Sequence, residues 1–339
     1  MSQSLAVKYR PTNFESVCGQ EATIKILNRQ IELGQFKNCY LFCGASGCGK
    51  TTAARIFANQ INNGVGEPIE VDGASNNGVE NVKQIIKSAA ERALEGEYKI
   101  YIIDEAHMLT IQAWNALLKT IEEPPKFTIF IFCTTDPQKI PPTIMNRVQR
   151  FNFTRLNSDT IKNRLMYICE SEGLVNYVDA CDYISRICNG QMRDAIATIE
   201  KCASYSNDLS IDNVLGVLGD YSYDMMFSLI NAIIDGKELD IISAVNKLYN
   251  DGADLKLFIN QFLNFTLDIQ KYIICKSIDI TRLPVSMLDK LNNSINFNNA
   301  MQYYGYVTNK LLELKNMLKT DLDPKPTIEV CLLSMCRLQ

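Results

Sequence analysis

The feature that most constrains the fold is a glycine-rich octapeptide at residues 44–51, which reads Gly-Ala-Ser-Gly-Cys-Gly-Lys-Thr. It follows a short apolar segment at 39–43 and leads into a helical pattern over 51–62. This is the complete G-x-x-x-x-G-K-[ST] pattern in the strand–loop–helix setting of a phosphate-binding loop. Such a loop presents backbone N–H groups and the positive end of a helix to an anion. The sequence therefore predicts an ATP site.

The residues of this loop have separate predicted roles. The glycines let the backbone wrap around the phosphates, so that its N–H groups face them. Lys50 can reach the terminal phosphates, and Thr51 can offer its hydroxyl to Mg²⁺. ATP and Mg²⁺ are the expected ligands. The candidate nucleotide-binding residues of this segment are Gly44, Ala45, Ser46, Gly47, Cys48, Gly49, Lys50, Thr51 and Thr52.

Two carboxylates, Asp104 and Glu105, follow a uniformly apolar run at 100–103. Such a run is typical of a central strand that is buried on both faces. Open α/β sheets bind their ligands at the carboxyl ends of such strands. Asp104 is predicted to hold Mg²⁺, directly or through water, and Glu105 to orient the attacking water as general base. Together with Lys50 they predict ATP hydrolysis.

The periodicity along the chain predicts three domains. Up to about residue 155, short apolar segments alternate with helical patterns, which indicates an α/β parallel sheet with crossover helices. Beyond it the strand pattern stops and the chain is helical in period. We predict an α/β domain at 1–155, a three-helix lid at 156–208 and a helical domain at 209–339.

Individual elements can be assigned from apolar runs and from glycine and proline punctuation. The predicted strands are 39–43, 69–71, 99–103, 127–133 and 151–153. The predicted helices before residue 210 are 20–33, 51–62, 111–123, 160–172, 179–189 and 191–206. The predicted breaks among the later helices are at Gly219, Gly236, Gly252, Pro284 and Pro324.

Composition limits the class of protein. A chain of 339 residues is long for one domain, and 47% hydrophobic residues suffice for buried cores. It has no apolar stretch of about twenty residues and no signal-peptide pattern, so we expect a cytoplasmic protein without a membrane. Twelve cysteines with no C-x-x-C pair, and one histidine, argue for reduced thiols and against a zinc site. A net charge of −4 confines any nucleic-acid contact to a local patch or an assembly.

Further segments accompany the phosphate loop. They are Lys-Tyr-Arg-Pro at 8–11 with Phe14 and Gly-Gln at 19–20, Glu-Glu-Pro-Pro at 122–125, Thr-Thr-Asp-Pro-Gln-Lys at 134–139, and Gly-Gln-Met-Arg-Asp-Ala at 190–195. With these segments, residues 5–205 resemble the AAA+ ATPase subunits of bacterial-type sliding-clamp loaders, the gamma/tau subunits of DNA polymerase III. The resemblance implies an AAA+ phosphate-loop domain, a helical lid and an all-α C-terminal domain.

The resemblance implies further site residues. Arg10 and Pro11 lie in the stretch that borders the adenine in that family. Thr135 matches a sensor that helps to position the water or the γ-phosphate, and Arg193 matches a second sensor on a lid helix. Arg147 matches the arginine finger donated to the ATP of the next subunit, which can accelerate hydrolysis by about 10³–10⁵. Judged without the family, Arg147 would be a solvated arginine or a surface ion pair.

Departures from the family pattern make the chain a divergent member. The finger is flanked as Asn-Arg-Val at 146–148, where the family has Ser-Arg-Cys. The segment 53–71 has no cysteine, so the family's zinc module is expected to be absent. Asn-Asn-Gly at 76–78 replaces the usual basic residues after the second strand, and the sequence ends after the third domain, without the long extension of the tau form.

Other polar residues allow two interpretations each. His107 could act as a general acid, but we favour a hydrogen-bonded structural residue. Lys83 and Lys87 are weak candidates for DNA contacts, since two spaced lysines are more often a solvated helix face. Trp114 is best interpreted as a core or interface residue.

The resemblance implies a ring or spiral of subunits, a pentamer, with ATP between neighbours. Its partners would be other clamp-loader subunits, a sliding clamp, primer–template DNA and, indirectly, the replicative DNA polymerase. Three alternatives stay open: another AAA+ DNA motor, such as a branch-migration helicase or a helicase loader, a stator that does not hydrolyse ATP, and a switch that binds ATP but rarely hydrolyses it.

Overall fold

A computed structural model describes residues 3–278 and 280–336. The described chain divides into two compact units, one of residues 3–164 and 188–197, the other of 165–187, 198–278 and 280–336. The predicted domain boundaries after residues 155 and 208 stay predictions.

The first unit contains a five-stranded, fully parallel sheet. Its strands are β1 Cys39–Gly44, β2 Ile69–Asp72, β3 Lys99–Asp104, β4 Thr128–Thr134 and β5 Gln149–Phe153. They lie in the order β2–β3–β4–β1–β5. Strand β4 therefore separates β1, which leads into the glycine-rich loop, from β3, which ends at Asp104. Because all strands are parallel, the loop and Asp104 lie at the same edge of the sheet.

Helices of this unit supply the residues that cover the sheet. They are α1 Leu5–Lys8, α2 Glu21–Leu33, α3 Lys50–Ile61, α4 Val79–Ala89, α5 Ile111–Glu122 and α6 Pro142–Met145. Successive residues of β1 belong to two different cores: Phe42 packs in a cluster with Phe57 of α3, and Leu41 in a cluster with Trp114 of α5. This alternation follows from the two-residue period of a strand. Each large apolar side chain that is fully buried contributes about 1.5–3 kcal/mol.

Local sequence sets the ends of the helices next to the nucleotide-binding motifs. Helix α3 begins at Lys50, directly after Gly49, whose φ of 100° favours glycine. Helix α5 begins after Thr110, whose Oγ1 accepts a hydrogen bond from the Ala113 N–H at 3.2 Å. It ends before the two prolines at 124–125, because proline cannot continue a helix and disfavours helical geometry at the preceding residue.

The second unit is helical. Its complete helices are α8 Val178–Ile187, α10 Ile211–Leu218, α11 Tyr223–Ile234, α12 Glu238–Asn250, α13 Leu255–Cys275, α14 Leu288–Ser294, α15 Ala300–Met317 and α16 Pro324–Met335, whereas α7 Ser158–Ser171 and α9 Met192–Tyr205 each cross a unit boundary. Helices α13 and α15 pack together, and the buried hydroxyls of Thr266 and Thr308 lie 3.2 Å apart between them. Short 3₁₀ turns are at Phe14–Ser16, Ala106–Met108, Pro137–Lys139 and Val285–Met287.

The predicted fold class is confirmed, since a parallel α/β sheet is followed by helices. The assigned elements lie within two residues of their predicted ends; the strand predicted at 127–133, for example, is Thr128–Thr134. Helix α4 was not predicted, and it begins after Gly78 without a side-chain cap. In the part of the chain that the structure describes, no helix is long and apolar enough to cross a membrane.

Candidate functional site

The glycine-rich loop connects β1 to α3 and contacts the first residues of α9. Gly47 has a φ of 67°, a backbone conformation that residues with a side chain rarely adopt. A Cβ atom on Gly47 would lie 3.1 Å from the Cβ of Gln191. The N–H of Met192 donates a hydrogen bond to the carbonyl of Gly47 at 3.1 Å. The loop therefore packs directly against the segment that carries Arg193.

Lys50 is held inside this loop. Its side chain is buried, and its Nζ donates hydrogen bonds to the carbonyl oxygens of Gly44 and Ala45, both at 2.9 Å. A buried ammonium needs such partners because desolvation disfavours an unpaired charge. Gly44 and Ala45 thus contribute their carbonyl groups to the position of Lys50.

Thr51 and Asp104 meet across the edge of the sheet. The Thr51 hydroxyl donates a hydrogen bond to Oδ2 of Asp104 at 2.8 Å. Oδ1 of Asp104 accepts a bond from the Glu105 N–H at 2.9 Å. Mg²⁺ prefers hard oxygen ligands and is usually bound through one or two protein groups together with phosphate oxygens. The oxygens of Thr51 and Asp104 fit that requirement.

Glu105 lies at the centre of a small polar cluster. Its backbone has a φ of 45°, an uncommon conformation for a residue other than glycine. Its Oε2 accepts a hydrogen bond from the Thr135 hydroxyl at 3.1 Å and lies 3.3 Å from Nδ1 of His107. The same Nδ1 lies 3.2 Å from the hydroxyl of Thr134. The structure thus brings Thr135 to Glu105, and His107 lies between the carboxylate of Glu105 and the hydroxyl of Thr134.

A cavity of about 170 Å³ lies beside these residues, within the first unit. Most residues predicted to bind the nucleotide line it: Arg10, Pro11, Ser46, Gly47, Cys48, Gly49, Lys50, Thr51, Thr52, Asp104, Glu105 and Arg193. Thr135 and Arg147 are not among its lining residues. The cavity therefore unites the phosphate loop, the two carboxylates and the second sensor, although these segments lie far apart in the sequence.

The remaining walls were not predicted. They include apolar side chains of Val17, Leu156, Met192 and Ile196, together with Arg164. Nη2 of Arg164 donates a hydrogen bond to the carbonyl of Tyr9 at 2.8 Å, which joins α7 to the segment of Arg10 and Pro11. No spacing in the sequence signals these walls, because they come from separate segments.

Gln20 connects three segments around the cavity. It is 8% exposed. Its Nε2 donates to the carbonyl of Thr154 at 2.7 Å, and its Oε1 accepts from the Thr154 N–H at 3.0 Å. A longer contact of 3.4 Å joins the same Nε2 to the carbonyl of Cys48 in the loop. The side chain therefore fixes the segment after β5 relative to the phosphate loop.

Charges around the cavity favour an anion. Burial lowers the pKa of Arg10, and the nearby positive charges of Arg55 and Arg193 lower it further, whereas Glu70 acts in the opposite sense. Arginine stays charged at any ordinary pH. Burial also raises the pKa of the Cys48 thiol, so that the loop carries a neutral cysteine at neutral pH.

The predicted arginine finger and the predicted DNA contacts also lie outside the cavity. Arg147 forms an ion pair with Glu122, with 2.8 Å between Nη2 and Oε1. Lys83 pairs with Glu80 on α4, with 2.8 Å between Nζ and Oε1, and Lys87 is exposed. The roles of Arg147 as a finger and of the two lysines as DNA contacts stay predictions.

Comparison with known families identifies two regions of the chain. Residues 67–157 match a family model described as DNA polymerase III, delta subunit. Residues 209–337 match the model for domain III of DNA polymerase III subunits gamma and tau. The solved structure of the RuvB Holliday junction branch migration motor of Thermotoga maritima superposes with a TM-score of 0.52 at 19% identity, over 67% of this chain and 79% of that one. That likeness shows the fold alone.

Curated relatives extend the comparison over most of the sequence. DNA polymerase III subunit tau of Bacillus subtilis is 37% identical over 292 residues, which cover 80% of this chain and 52% of that protein. DNA polymerase III subunit gamma/tau of Mycoplasma genitalium is 30% identical over 340 residues, or 93% of this chain and 56% of that protein. The chain spans about half the length of the curated relatives it matches. The chain belongs to the family of DNA polymerase III gamma and tau subunits.

Proposed function

We propose that the chain is the ATPase subunit of a sliding-clamp loader, which uses ATP binding and hydrolysis to open a ring-shaped clamp and load it on primer–template DNA. The observation that carries this proposal is the convergence of Lys50, Thr51, Asp104 and Glu105 on one cavity. The relatives named DNA polymerase III subunit tau and gamma/tau support the assignment of that ATPase to DNA replication.

The chemistry at the site follows from the positions of its side chains. Lys50 exchanges its two carbonyl partners for oxygens of the terminal phosphates. Thr51 and Asp104 would hold Mg²⁺, which would neutralise charge on the phosphates when bound. Glu105 orients the attacking water and accepts its proton.

The neighbouring residues support that geometry. Thr135 keeps Glu105 in position through its hydroxyl, which lies 3.1 Å from the carboxylate. Arg193 reaches the phosphates from α9, and Arg10 and Pro11, which also line the cavity, border the base.

The assembly supplies the remaining function. Arg147 stabilises charge on the ATP of the next subunit in a pentameric ring with companion loader subunits. ATP can drive the cycle only through its different affinity for the clamp-binding and clamp-releasing states. DNA contacts are mainly to phosphates, and DNA binding is therefore weakened by salt.

The alternatives predict different responses to partners. A branch-migration motor shares only the fold with this chain, at less than a fifth of identical residues. A switch that seldom hydrolyses ATP would bind the nucleotide normally but show little turnover under every condition. A clamp loader hydrolyses ATP fastest when both DNA and clamp are present.

The proposal is tested by steady-state ATP hydrolysis of the full chain together with its companion loader subunits. Rates are measured with no addition, with primer–template DNA, and with DNA plus the cognate clamp. We expect the largest rate with both partners and its loss in Arg147→Ala. Arg29→Ala is the matched control, because Arg29 also pairs with a surface glutamate, Glu32, at 3.1 Å but lies outside the site.

Glu105→Gln completes the test, since it keeps the shape of the side chain and removes its basicity. We expect ATP binding without turnover in this variant. Hydrolysis that ignores an active clamp would contradict clamp loading, and equal rates in Glu105→Gln and the unaltered chain would contradict the role of Glu105.

A further inference from the structure

The loop that follows β2, residues 73–78, is bonded to both sides of the segment that carries Glu105. The N–H of Gly73 donates to the carbonyl of Asp104 at 2.8 Å. The N–H of Thr110 donates to the carbonyl of Asn77 at 3.1 Å. The two hydrogen bonds therefore enclose residues 105–109 between them.

The first of these contacts requires a glycine. Gly73 is buried, and a Cβ atom on it would lie 2.7 Å from the carbonyl oxygen of Asp104 and 2.9 Å from that of Glu105. Both oxygens belong to the backbone, so a side chain cannot simply rotate away. Any Cβ at this position must displace the backbone of Asp104 and Glu105, of the loop, or of both.

The loop itself is stiff. Oδ1 of Asp72 accepts a hydrogen bond from the Ala74 N–H at 3.0 Å, and Oδ2 accepts one from the Ser75 hydroxyl at 2.5 Å. The carbonyl of Asp72 accepts another from the Asn76 N–H at 3.0 Å. An Asp side chain bonded to the backbone two residues later is a recognised turn-forming device. Because these bonds hold the loop in one conformation, a displacement at Gly73 moves the Glu105 segment and is not taken up by a rearrangement of the loop.

We propose that Gly73 and Asn77 are positioning residues for Glu105: through their backbone contacts they set the location of its carboxylate without touching the nucleotide. The inference rests on the proposed function, in which Glu105 acts on the attacking water. Its mechanical basis is that Glu105 already has an uncommon φ of 45°, which the surrounding contacts must maintain.

Gly73→Ala tests the first contact, with Gly78→Ala as its matched control. Gly78 lies in the same loop, has a φ of −83°, and offers open space around an added Cβ. We expect Gly73→Ala to lower kcat on the order of 10- to 100-fold, as small displacements of catalytic groups do. The Kd for ATP should change by less than about threefold, because the interaction lost is made only in the transition state. Gly78→Ala should keep its kcat.

The second contact is tested by Thr110→Pro against Thr110→Ala. Thr110 has a φ of −66°, and Leu109 before it has a φ of −61° and a ψ of 137°, so the backbone already suits proline. Both variants lose the side-chain cap of α5, but only proline removes the N–H that Asn77 accepts. We expect Thr110→Pro to have the lower kcat at equal ATP affinity.

The outcomes separate this inference from the function on which it rests. An unaltered chain that does not hydrolyse ATP, or a Glu105→Gln chain that still does, would refute the proposed function. Turnover in the unaltered chain with equal kcat in Gly73→Ala and Gly78→Ala would overturn the positioning role alone. A parallel loss of ATP affinity and kcat in Gly73→Ala would also overturn the positioning role. If Gly73→Ala does not fold, the two Thr110 variants decide, and equal kcat values in them overturn the inference.

Discussion

Arg147 and Glu122 form an ion pair in which Nη2 of the arginine lies 2.8 Å from Oε1 of the glutamate. Glu122 is the last residue of α5, and Arg147 follows α6. Nη1 of the same guanidinium donates to the carbonyl of Thr143 at 2.6 Å. Partners at two nitrogens fix the plane of a guanidinium. Arg147 is thus oriented by groups of its own chain.

Glu122→Gln should impair the proposed finger more than the fold. Both side chains of the ion pair are partly exposed, so the pair contributes at most about 1 kcal/mol to stability. If losing the ion pair raises the activation free energy of hydrolysis by up to that amount, the ATPase rate with clamp and DNA should fall about 2- to 5-fold. Glu123→Gln is the control, because Glu123 is the adjacent exposed glutamate. Equal rates in the two variants would show that Glu122 does not orient Arg147.

Thr135→Val should slow hydrolysis without weakening ATP binding. Valine keeps the shape of threonine but lacks the hydroxyl that donates to Glu105 at 3.1 Å. We expect kcat to fall about tenfold, the equivalent of one hydrogen bond to a charged group, of about 1.5 kcal/mol. Thr135→Ser restores the donor and should retain most of the rate. Steady-state kinetics and nucleotide titration measure both quantities, and a slow serine variant would argue against the hydrogen bond.

Gln20→Glu should destabilise the first unit. The substitution replaces the Nε2 donor by an oxygen, which then faces the carbonyl of Thr154 at a buried position. A buried acceptor left without a donor costs about 1–3 kcal/mol. Gln35→Glu makes the same chemical change at an exposed position and should alter stability by less than about 0.5 kcal/mol. Urea unfolding compares the two, and equal midpoints would contradict a structural role for Gln20.

The sequence predicts those parts of the site whose signals are local. The phosphate loop and β3 each carry their pattern within a few consecutive residues, and parallel strands then bring Thr51 to Asp104. The centre of the sheet is predictable for the same reason, since β1, β3 and β4 are short apolar runs bounded by glycine, proline or charge.

Contacts between distant segments are not predictable in this way. Leu156 and Ile196 line the cavity, yet each is an ordinary apolar residue in a helical or connecting segment. The backbone hydrogen bond from Gly73 to Asp104 depends on the register of β2 against β3, in which Asp72 lies opposite Asp104. Only the folded chain fixes that register.

Alkaline pH should destabilise the first unit through its buried acids. Burial raises the pKa of the Cys39 thiol from 9.0 to about 12. Between these values the unfolded chain loses the proton and the folded chain keeps it. The contribution of the protonated Cys39 thiol to the free energy of unfolding is therefore complete below pH 9. It declines as pH rises towards 12, by about 1.4 kcal/mol per pH unit for each such group.

Urea unfolding from pH 8 to pH 11 should show a shallower decline of the free energy of unfolding in Cys39→Ala than in the unaltered chain. Cys275→Ala is the control, because Cys275 is exposed. Its decline should match that of the unaltered chain, and an equally steep decline in Cys39→Ala would contradict the buried-thiol mechanism.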